Sequence, residues 1–566
     1  MPRPADSARA PASRGVAATG SALSERSRFV ASMRRFLWLI QSALVLAVLV
    51  PALVVLTVPD VGRSTAWTLT LAILVWAGVR LSKLIAAGRP RVFEFMFWLF
   101  VYIFMGLAPS IQIRSAEIST TTKGMPPSVD WSTALVIALS LVLFEIGRSL
   151  PVRSTEAHKP RPPRMVNPYA VWALFVVGMC CMLFYVHSIG LGDLFQSRET
   201  RQEAVVAALG DGSSGVIIAA LAWVPLMVCA GAFLLLRRLL PSGQSGVLYA
   251  LGALTSAVAV LVVVNPISGA RYTSGTVLFA LLCFTGVLTR KAWIRPFLAS
   301  ILGAFLFLFP IADAFRRSHV DVSRGGFFSE YAGNGDYDAF WQISNTLLYI
   351  HQEGPTWGRQ ALGVALFWAP RSWWSNKPTD TGVLLAEFRG YHFTNLSAPL
   401  WAEALVNGGV VALAVAFLML GAALFRLDRL LPESLSAHGV MSVAGAVLPA
   451  YMIILLRGSL LQATGLFAVI VCSLWAIGIG RAGPPSNSRH SRVHVPGGAF
   501  VPGRRNPEGR SPDRRASRLV GSDAGGREGQ GSPDDLRQAA GDVAGELGFG
   551  GLNHDPHHRF RSRRPQ

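Results

Sequence analysis

The chain has 566 residues, 51% of them hydrophobic and only 15% charged, with a mean hydropathy of +0.42. A water-soluble domain carries about 25% charged residues, so the two or three soluble domains that this length suggests are excluded in favour of a multispanning membrane protein. The formal charge of +20 does not mark a nucleic-acid partner, because Lys and Arg lie in the two termini and in short gaps between apolar runs rather than on one soluble face.

Residues 1–28 form an Ala/Ser/Pro/Arg tract with no packing pattern, and the first apolar run, Phe36 to Val58, is too long for a cleavable signal. Residues 1–35 are therefore expected to be a disordered cytoplasmic tail. A span needs about 20 apolar residues. Windows of that length fall near 36–58, 65–87, 92–113, 129–148, 168–189, 215–236, 246–265, 272–289, 292–313, 401–425, 440–456 and 459–480. The expected fold is all-α: a polytopic domain over 36–480 with about 12 transmembrane helices. Pro51 and Pro225 kink their helices without breaking them, since neighbours re-satisfy the freed backbone. Lys and Arg collect in the tails and in the gaps 80–91, 148–164, 237–238, 290–295 and 426–429. The positive-inside rule then puts both termini on the cytoplasmic side of an inner membrane. Glu94 and Glu145 fall near cytoplasmic span ends, where exposure makes a charge cheap.

The five cysteines (Cys180, Cys181, Cys229, Cys283, Cys472) all sit in apolar runs without metal-ligand spacing. They read as buried packing residues, with neither a disulfide framework nor a metal site. The tail 481–566 is Gly/Pro/Arg-rich with few aromatic or branched aliphatic residues. It cannot bury enough apolar surface to offset its ordering entropy and is expected to be disordered.

This orientation leaves one large extracytoplasmic loop, 314–400, and a shorter one from Gly190 to Ser214. The large loop is dense in aromatic residues, including Trp341, Trp357, Trp368, Trp373 and Trp374. Such density suits a packed or ligand-binding segment at a membrane interface. Asp338 to His351 has helical spacing, and Gly354-Pro355-Thr356-Trp357-Gly358 ends it. Ala361 to Ala369 is too short to span and suits an interfacial or re-entrant helix. It delivers Arg371-Ser372-Trp373-Trp374-Ser375-Asn376-Lys377-Pro378 to the water side. Arg371 and Lys377 there suggest an anionic headgroup beside a ring-stacking surface of Trp373 and Trp374.

Further outer cations could join them. Arg198 and Arg201 share one face of a helix over Ser197 to Leu209. Arg271 opens the eighth span, and Arg316 and Arg317 follow the ninth. Arg457 interrupts a long apolar stretch with only Gly458 beside it to turn. An arginine so placed is costly unless it meets a cavity or an anion. Planar guanidinium forks match phosphate geometry. For acid–base work the outer side offers Asp313, Asp336, Asp338, Glu353, Asp380, Glu387 and Glu403. Glu403, at the start of the tenth span, is the better base candidate, with His392 and Glu387 beside it. A favourable charge at a helix N-terminus is the competing account of Glu403. Asp336-Tyr337-Asp338 imitates a metal-binding DxD, and a chance match or helix N-cap explains it better.

The span number, the late outer loop, the run Trp368 to Pro378, and the later Glu403 and Asn407-Gly408-Gly409 resemble the Wzy-type O-antigen or oligosaccharide repeat-unit polymerases. At residue level the resemblance covers about 265–275 and 310–410; the tails lie outside it. It implies a membrane glycosyltransferase that moves a growing glycan from an undecaprenyl-diphosphate-linked oligosaccharide onto a hydroxyl of an incoming lipid-linked unit at the outer face. Neither a nucleotide sugar, a metal nor another cofactor is required. On that reading Arg271, Arg371 and Arg457 hold the diphosphate, with Arg198, Arg201, Arg316 and Lys377 in support. Glu403 or His392 serves as base, and Trp373 and Trp374 stack on sugar rings. The bilayer, a chain-length regulator and a flippase are the expected partners. The competing readings are an O-antigen-ligase-like transferase, another polyprenyl-linked glycosyltransferase, and a lipid-linked oligosaccharide flippase or other transporter.

Overall fold

The computed structural model describes residues 14–150, 164–196, 198–210, 213–239, 243–265, 269, 271–308, 310, 328–394 and 396–479. Among them the regular structure is helical, with one isolated antiparallel bridge between Met165 and Gly439. The first half of the chain contains α1 (Arg28–Thr57), α2 (Trp67–Ala87), α3 (Val92–Ser115), α4 (Pro127–Ser149), α5 (Pro168–Ile189), α6 (Arg198–Leu209), α7 (Gly215–Leu239) and α8 (Gln244–Val263). Next come α9 (Arg271–Phe284) and α10 (Lys291–Leu308), then four short helices: α11 (Ser329–Gly333), α12 (Ala339–Gln352), α13 (Arg359–Ala365) and α14 (Thr381–Arg389). The last three are α15 (Leu400–Ala437), α16 (Val440–Arg457) and α17 (Leu460–Ala476).

Each of the twelve apolar runs contains a helix. Ten described helices are long and apolar enough to cross a membrane; the apolar parts of α9 and α17 are shorter. At 1.5 Å per residue, the 17 residues of α17 extend about 25 Å, short of a hydrocarbon core of about 30 Å. The backbone ahead of α1 is helical from Arg14, as part of Arg14–Ala43. No proline follows Pro11 until Pro51, and extending an existing helix needs no new nucleus. Residues 1–13 and the tail from 480 onward lie outside the described residues.

Three helices widen into a π-turn shortly before a proline: Leu44–Leu49 ahead of Pro51, Val101–Leu107 ahead of Pro109, and Ala304–Leu308 ahead of Pro310. Proline removes a donor and pushes on the carbonyl four residues back, and the wider turn takes up that misfit.

The centre of the bundle is α3, whose most apolar window is buried all round. Phe93, Phe95, Phe97, Trp98 and Phe100 point in every direction, and each meets a neighbour. A helix apolar on all faces belongs inside such a bundle. Glu94, expected to be exposed, is 0% exposed because it lies within this enclosed helix. Cys229 and Cys283 are buried as expected, but Cys180 and Cys472 are exposed on helix outer faces, where lipid rather than protein would cover them.

α4 and α15 cross closely. A Cβ on Gly421 would stand 2.1 Å from the Phe144 carbonyl oxygen, and one on Gly147 would stand 2.0 Å from that of Leu418. Small residues permit such contact between membrane helices. Gly421→Ala should therefore lower stability by about 1–3 kcal/mol through overpacking. Gly303, whose Cβ position is open, supplies the control: Gly303→Ala should not destabilise. Thermal unfolding in detergent checks the pair, and equal melting temperatures would refute the close crossing.

Candidate functional site

The segment 328–399 is anchored to the membrane helices by polar side chains near their ends. Gln112, near the end of α3, donates to the carbonyls of Tyr331 (2.9 Å) and Tyr337 (3.2 Å) and accepts from Trp341 Nε1 (2.8 Å). Thr133 of α4 and Ser344 of α12 share a hydroxyl contact of 2.8 Å. These ties sink the first half of α12, Ala339 to Thr346, into the core. Its buried face carries Asp338, Gln342 and Asn345 at helical spacing. Gln342 Oε1 and both amide atoms of Asn345 have no hydrogen-bond partner there. That is unmet polar capacity beside the site.

Arg457 ends α16 and reaches back to this segment. Its Nε donates to the Asp336 carbonyl (3.0 Å) and its Nη2 to Asp336 Oδ1 (3.2 Å), with Asp338 Oδ1 at 3.7 Å. Asp338 is only 1% exposed. It also accepts from Thr121 Oγ1 (2.9 Å), Gln342 Nε2 (3.2 Å) and Ser397 Oγ (2.7 Å). Asp336-Tyr337-Asp338 is therefore the counter-charge of Arg457. Asp338 does occupy the N-cap position of α12, but its carboxylate makes no capping bond there. The Arg457 side chain stays a quarter exposed.

Glu403, in the first turn of α15, is 2% exposed. Its Oε2 accepts from Thr381 Oγ1 (2.8 Å), and its Oε1 from Ser459 Oγ (3.2 Å) and the Leu460 amide (2.8 Å). It thus joins the start of α14, α15 and the α16–α17 turn that carries Arg457. Asp380 adds a parallel tie: it caps α14 through the Val383 amide (3.0 Å) and accepts from Gln462 Nε2 (2.8 Å). Burial pushes the Asp380 carboxyl above the ordinary aspartate range, opposed by the donors on it.

Arg371 and Lys377 form a separate group. Arg371 Nη1 donates to the Lys377 carbonyl (2.8 Å), while Lys377 Nζ donates to the carbonyls of Phe367 (2.7 Å) and Ala369 (2.9 Å). Lys377 is buried, and burial pushes its ammonium below the ordinary lysine range, with Arg371 adding to the effect. Lys377 is committed to the loop's own carbonyls, whereas Arg371 is exposed. Trp373 is 77% exposed and Trp374 is half-buried, and His392 is exposed in the stretch after α14. The loop is fastened to a break in α15. Gly408 and Gly409 leave helical geometry, Gly409 with φ of 61°. The carbonyls of Val406 and Asn407 accept from the amides of Thr356 (2.7 Å) and Gly358 (2.8 Å). α13, predicted as Ala361 to Ala369, is the seven-residue helix Arg359–Ala365.

The remaining expectations divide as follows. Arg201 donates to the Tyr185 hydroxyl (3.3 Å) and the Val263 carbonyl (2.8 Å). Arg198 opens α6 and Arg271 opens α9, but their side chains, like the whole of Arg316, lie outside the described residues. The structure thus joins Arg457 to Glu403 through one turn, and Arg371 to Lys377 through one loop. Sequence reasoning missed two buried arginines at this end. Arg63 pairs with Asp130 (3.0 Å) and lies 5.0 Å from the Trp341 ring centroid. Arg114 caps the end of α1 through the carbonyls of Val55 (3.1 Å) and Val58 (3.0 Å) and stacks on Trp67 (4.3 Å). Their nearness to span ends was the available signal. No family model, curated protein or solved structure matches this chain.

Proposed function

We propose that the chain is a membrane glycosyltransferase that polymerises undecaprenyl-diphosphate-linked oligosaccharide repeat units at the outer face of a cytoplasmic membrane, with twelve spans and both termini inside. The observation that carries this reading is Arg457. A membrane helix ends in a guanidinium held on two sides by Asp336, on a side chain that stays a quarter exposed; the exposed Arg371 and Trp373 stand in a separate group on the same segment that follows α11. The donor is already activated by its diphosphate. The acceptor hydroxyl oxygen forms a bond to the anomeric carbon, the carbon–oxygen bond to the diphosphate breaks, and the electron pair leaves with the diphosphate. Fixed cations stabilise that departing charge. Arg457 and Arg371 fill this role, with Arg271 as third candidate. The hydroxyl proton needs an accessible acceptor. His392 meets that need better than Glu403, whose carboxylate is enclosed by three donors. Glu403 acts instead by positioning Arg457. A chain-length regulator and a flippase are the partners that such a polymerase requires.

A lipid-linked oligosaccharide flippase is the second reading, favoured by the buried, unpartnered carboxyl of Glu94, because enclosed acids mark proton-coupled transporters. Deleting the gene and sizing lipid-linked and surface glycans separates the readings. Single-repeat glycan at the outer face, restored to a ladder by the wild-type gene, supports the polymerase. Full-length glycan still on its lipid points to a ligase, and single units held at the inner face point to a flippase. Arg371→Ala should abolish the ladder while the protein inserts at normal levels, since this exposed side chain holds only one loop carbonyl. A normal ladder from a well-expressed variant would remove Arg371 from the site.

A further inference from the structure

The stripe of α12 that carries Asp338, Gln342 and Asn345 continues to Tyr349, since steps of four, three and four residues return to the same side of a helix. Segment 381–397 meets both ends of this stripe. Ser397 Oγ donates to Asp338 Oδ1 (2.7 Å). The Tyr349 ring stands edge-on to Phe388 of α14, with 5.3 Å between centroids, and packs against Leu385 and Ala386. Gln342 and Asn345 lie between those two contacts, and both are 0% exposed.

Both bring polar capacity that the described residues do not meet. Gln342 Nε2 is taken by Asp338, but its Oε1 has no partner, and neither Oδ1 nor Nδ2 of Asn345 has one. Thr122, from the loop whose Thr121 holds Asp338, adds another enclosed and unpartnered group, its hydroxyl. Leu385 and Ala386 of α14, which pack on the same stripe, have side chains that form no hydrogen bonds. An enclosed amide without partners is a cost that folding leaves standing, and such costs are kept where a ligand removes them. None of these groups is charged. Amide oxygens repel a phosphate, whereas an amide that both donates and accepts matches a hydroxyl that does the same. The chemistry therefore selects a neutral polyol, a sugar ring, over the lipid diphosphate.

α14 is fastened unevenly. Its start is tied by the enclosed bond from Thr381 to Glu403. Its end is tied by Arg389 Nη2 to the Gly124 carbonyl (3.0 Å) and by the Tyr391 hydroxyl to the Lys123 carbonyl (2.9 Å), two exposed bonds with which water competes. We propose that Gln342 and Asn345 form a subsite for a sugar ring of the glycan substrate beneath α14, reached when the end of α14 swings away from the loop after α3. This inference rests on the proposed glycosyl transfer. Asn345→Leu keeps the side-chain size and removes both unmet groups of the amide, a change that is neutral or stabilising where the polar atoms have no partner in the folded chain.

The test places the full-length wild type, Asn345→Leu and Thr346→Val in the gene-deletion strain. Thr346 is equally buried, but its hydroxyl donates to the Gln342 carbonyl of its own helix (2.8 Å). Asn345→Leu is expected to insert normally, to melt in detergent at or above the wild-type temperature, and to extend glycan about 10- to 100-fold less, the loss of one hydrogen-bonding group on the substrate. Thr346→Val should restore the wild-type ladder. The single-repeat oligosaccharide, cleaved from its lipid by mild acid, should raise the melting temperature of the wild type and not that of Asn345→Leu. A wild-type gene that restores no ladder removes the glycosyl transfer and the subsite with it. A restored ladder with equal extension by Asn345→Leu removes the subsite alone, as does an oligosaccharide shift that is equal in the two proteins, zero included. An Asn345→Leu chain that melts well below the wild type, or fails to fold, shows that the amide has a structural partner and also overturns the proposal.

Discussion

Glu403→Ala is expected to destabilise the folded chain by about 3–5 kcal/mol, the largest single effect outside the apolar core. The substitution leaves the hydroxyls of Thr381 and Ser459 and the amide of Leu460 without the acceptor they share. Each stranded donor costs about 1–3 kcal/mol, and relaxation of the turn recovers part of the sum. Glu403→Gln keeps one acceptor oxygen and should lose less. Thermal unfolding of both variants in detergent, compared with the wild type, checks the order. A wild-type melting temperature for Glu403→Ala would show that the three bonds carry no stability. If Glu403 instead serves as a base, Glu403→Gln would abolish glycan extension at full stability, and that pattern would return it to the chemistry.

The second large effect concerns activity and rests on the proposed glycosyl transfer. Arg457→Ala should reduce glycan extension on the order of 100- to 1000-fold, the range typical of removing one donor to a developing charge. Its cost in stability should be smaller than that of Glu403→Ala. Asp338 keeps the donors Thr121, Gln342 and Ser397 after the arginine is gone, and the Asp336 side chain is more than a third exposed to solvent, so neither carboxylate is left stranded. Arg457→Lys keeps the charge but cannot reproduce the planar fork on Asp336, and should recover only part of the activity. Polymer length, normalised to protein in the membrane, is the readout. Equal polymer from Arg457→Ala and wild type at equal expression would make Arg457 a structural brace and nothing more.

What the sequence disclosed and what it hid have separate physical causes. Helix positions were legible because a span must be long and apolar, a property local to its own residues. Arg457 stood out for the same reason, as a charge inside an apolar stretch. Its partners did not, because Asp336 lies 121 positions earlier and a two-residue acidic pattern suits several roles. Glu403 was singled out, but its three donors come from two other helices, so its enclosure could not be read from its neighbours in sequence. Glu94 was misjudged by position alone. A place near the end of a span suggests water, yet Phe93, Phe95, Phe97 and Phe100 around it mark a helix apolar on every side, and that pattern was available. Lys377 next to tryptophans resembled a ligand cation; only the carbonyls of Phe367 and Ala369 on its ammonium show where its hydrogen bonds go.

The break at Gly408–Gly409 carries a consequence for biosynthesis. Thr356 and Gly358 find their acceptors on Val406 and Asn407, about fifty residues downstream, and Glu403 finds Ser459 and Leu460 later still. A ribosome delivers the loop first, so its backbone must wait in water until α15 has entered the membrane, and the turn after α16 must wait for both. The site end of this protein is then assembled in a fixed order, last helix last. A ribosome pause or truncation before residue 460 would leave the membrane bundle largely inserted and the site end without its final clasp.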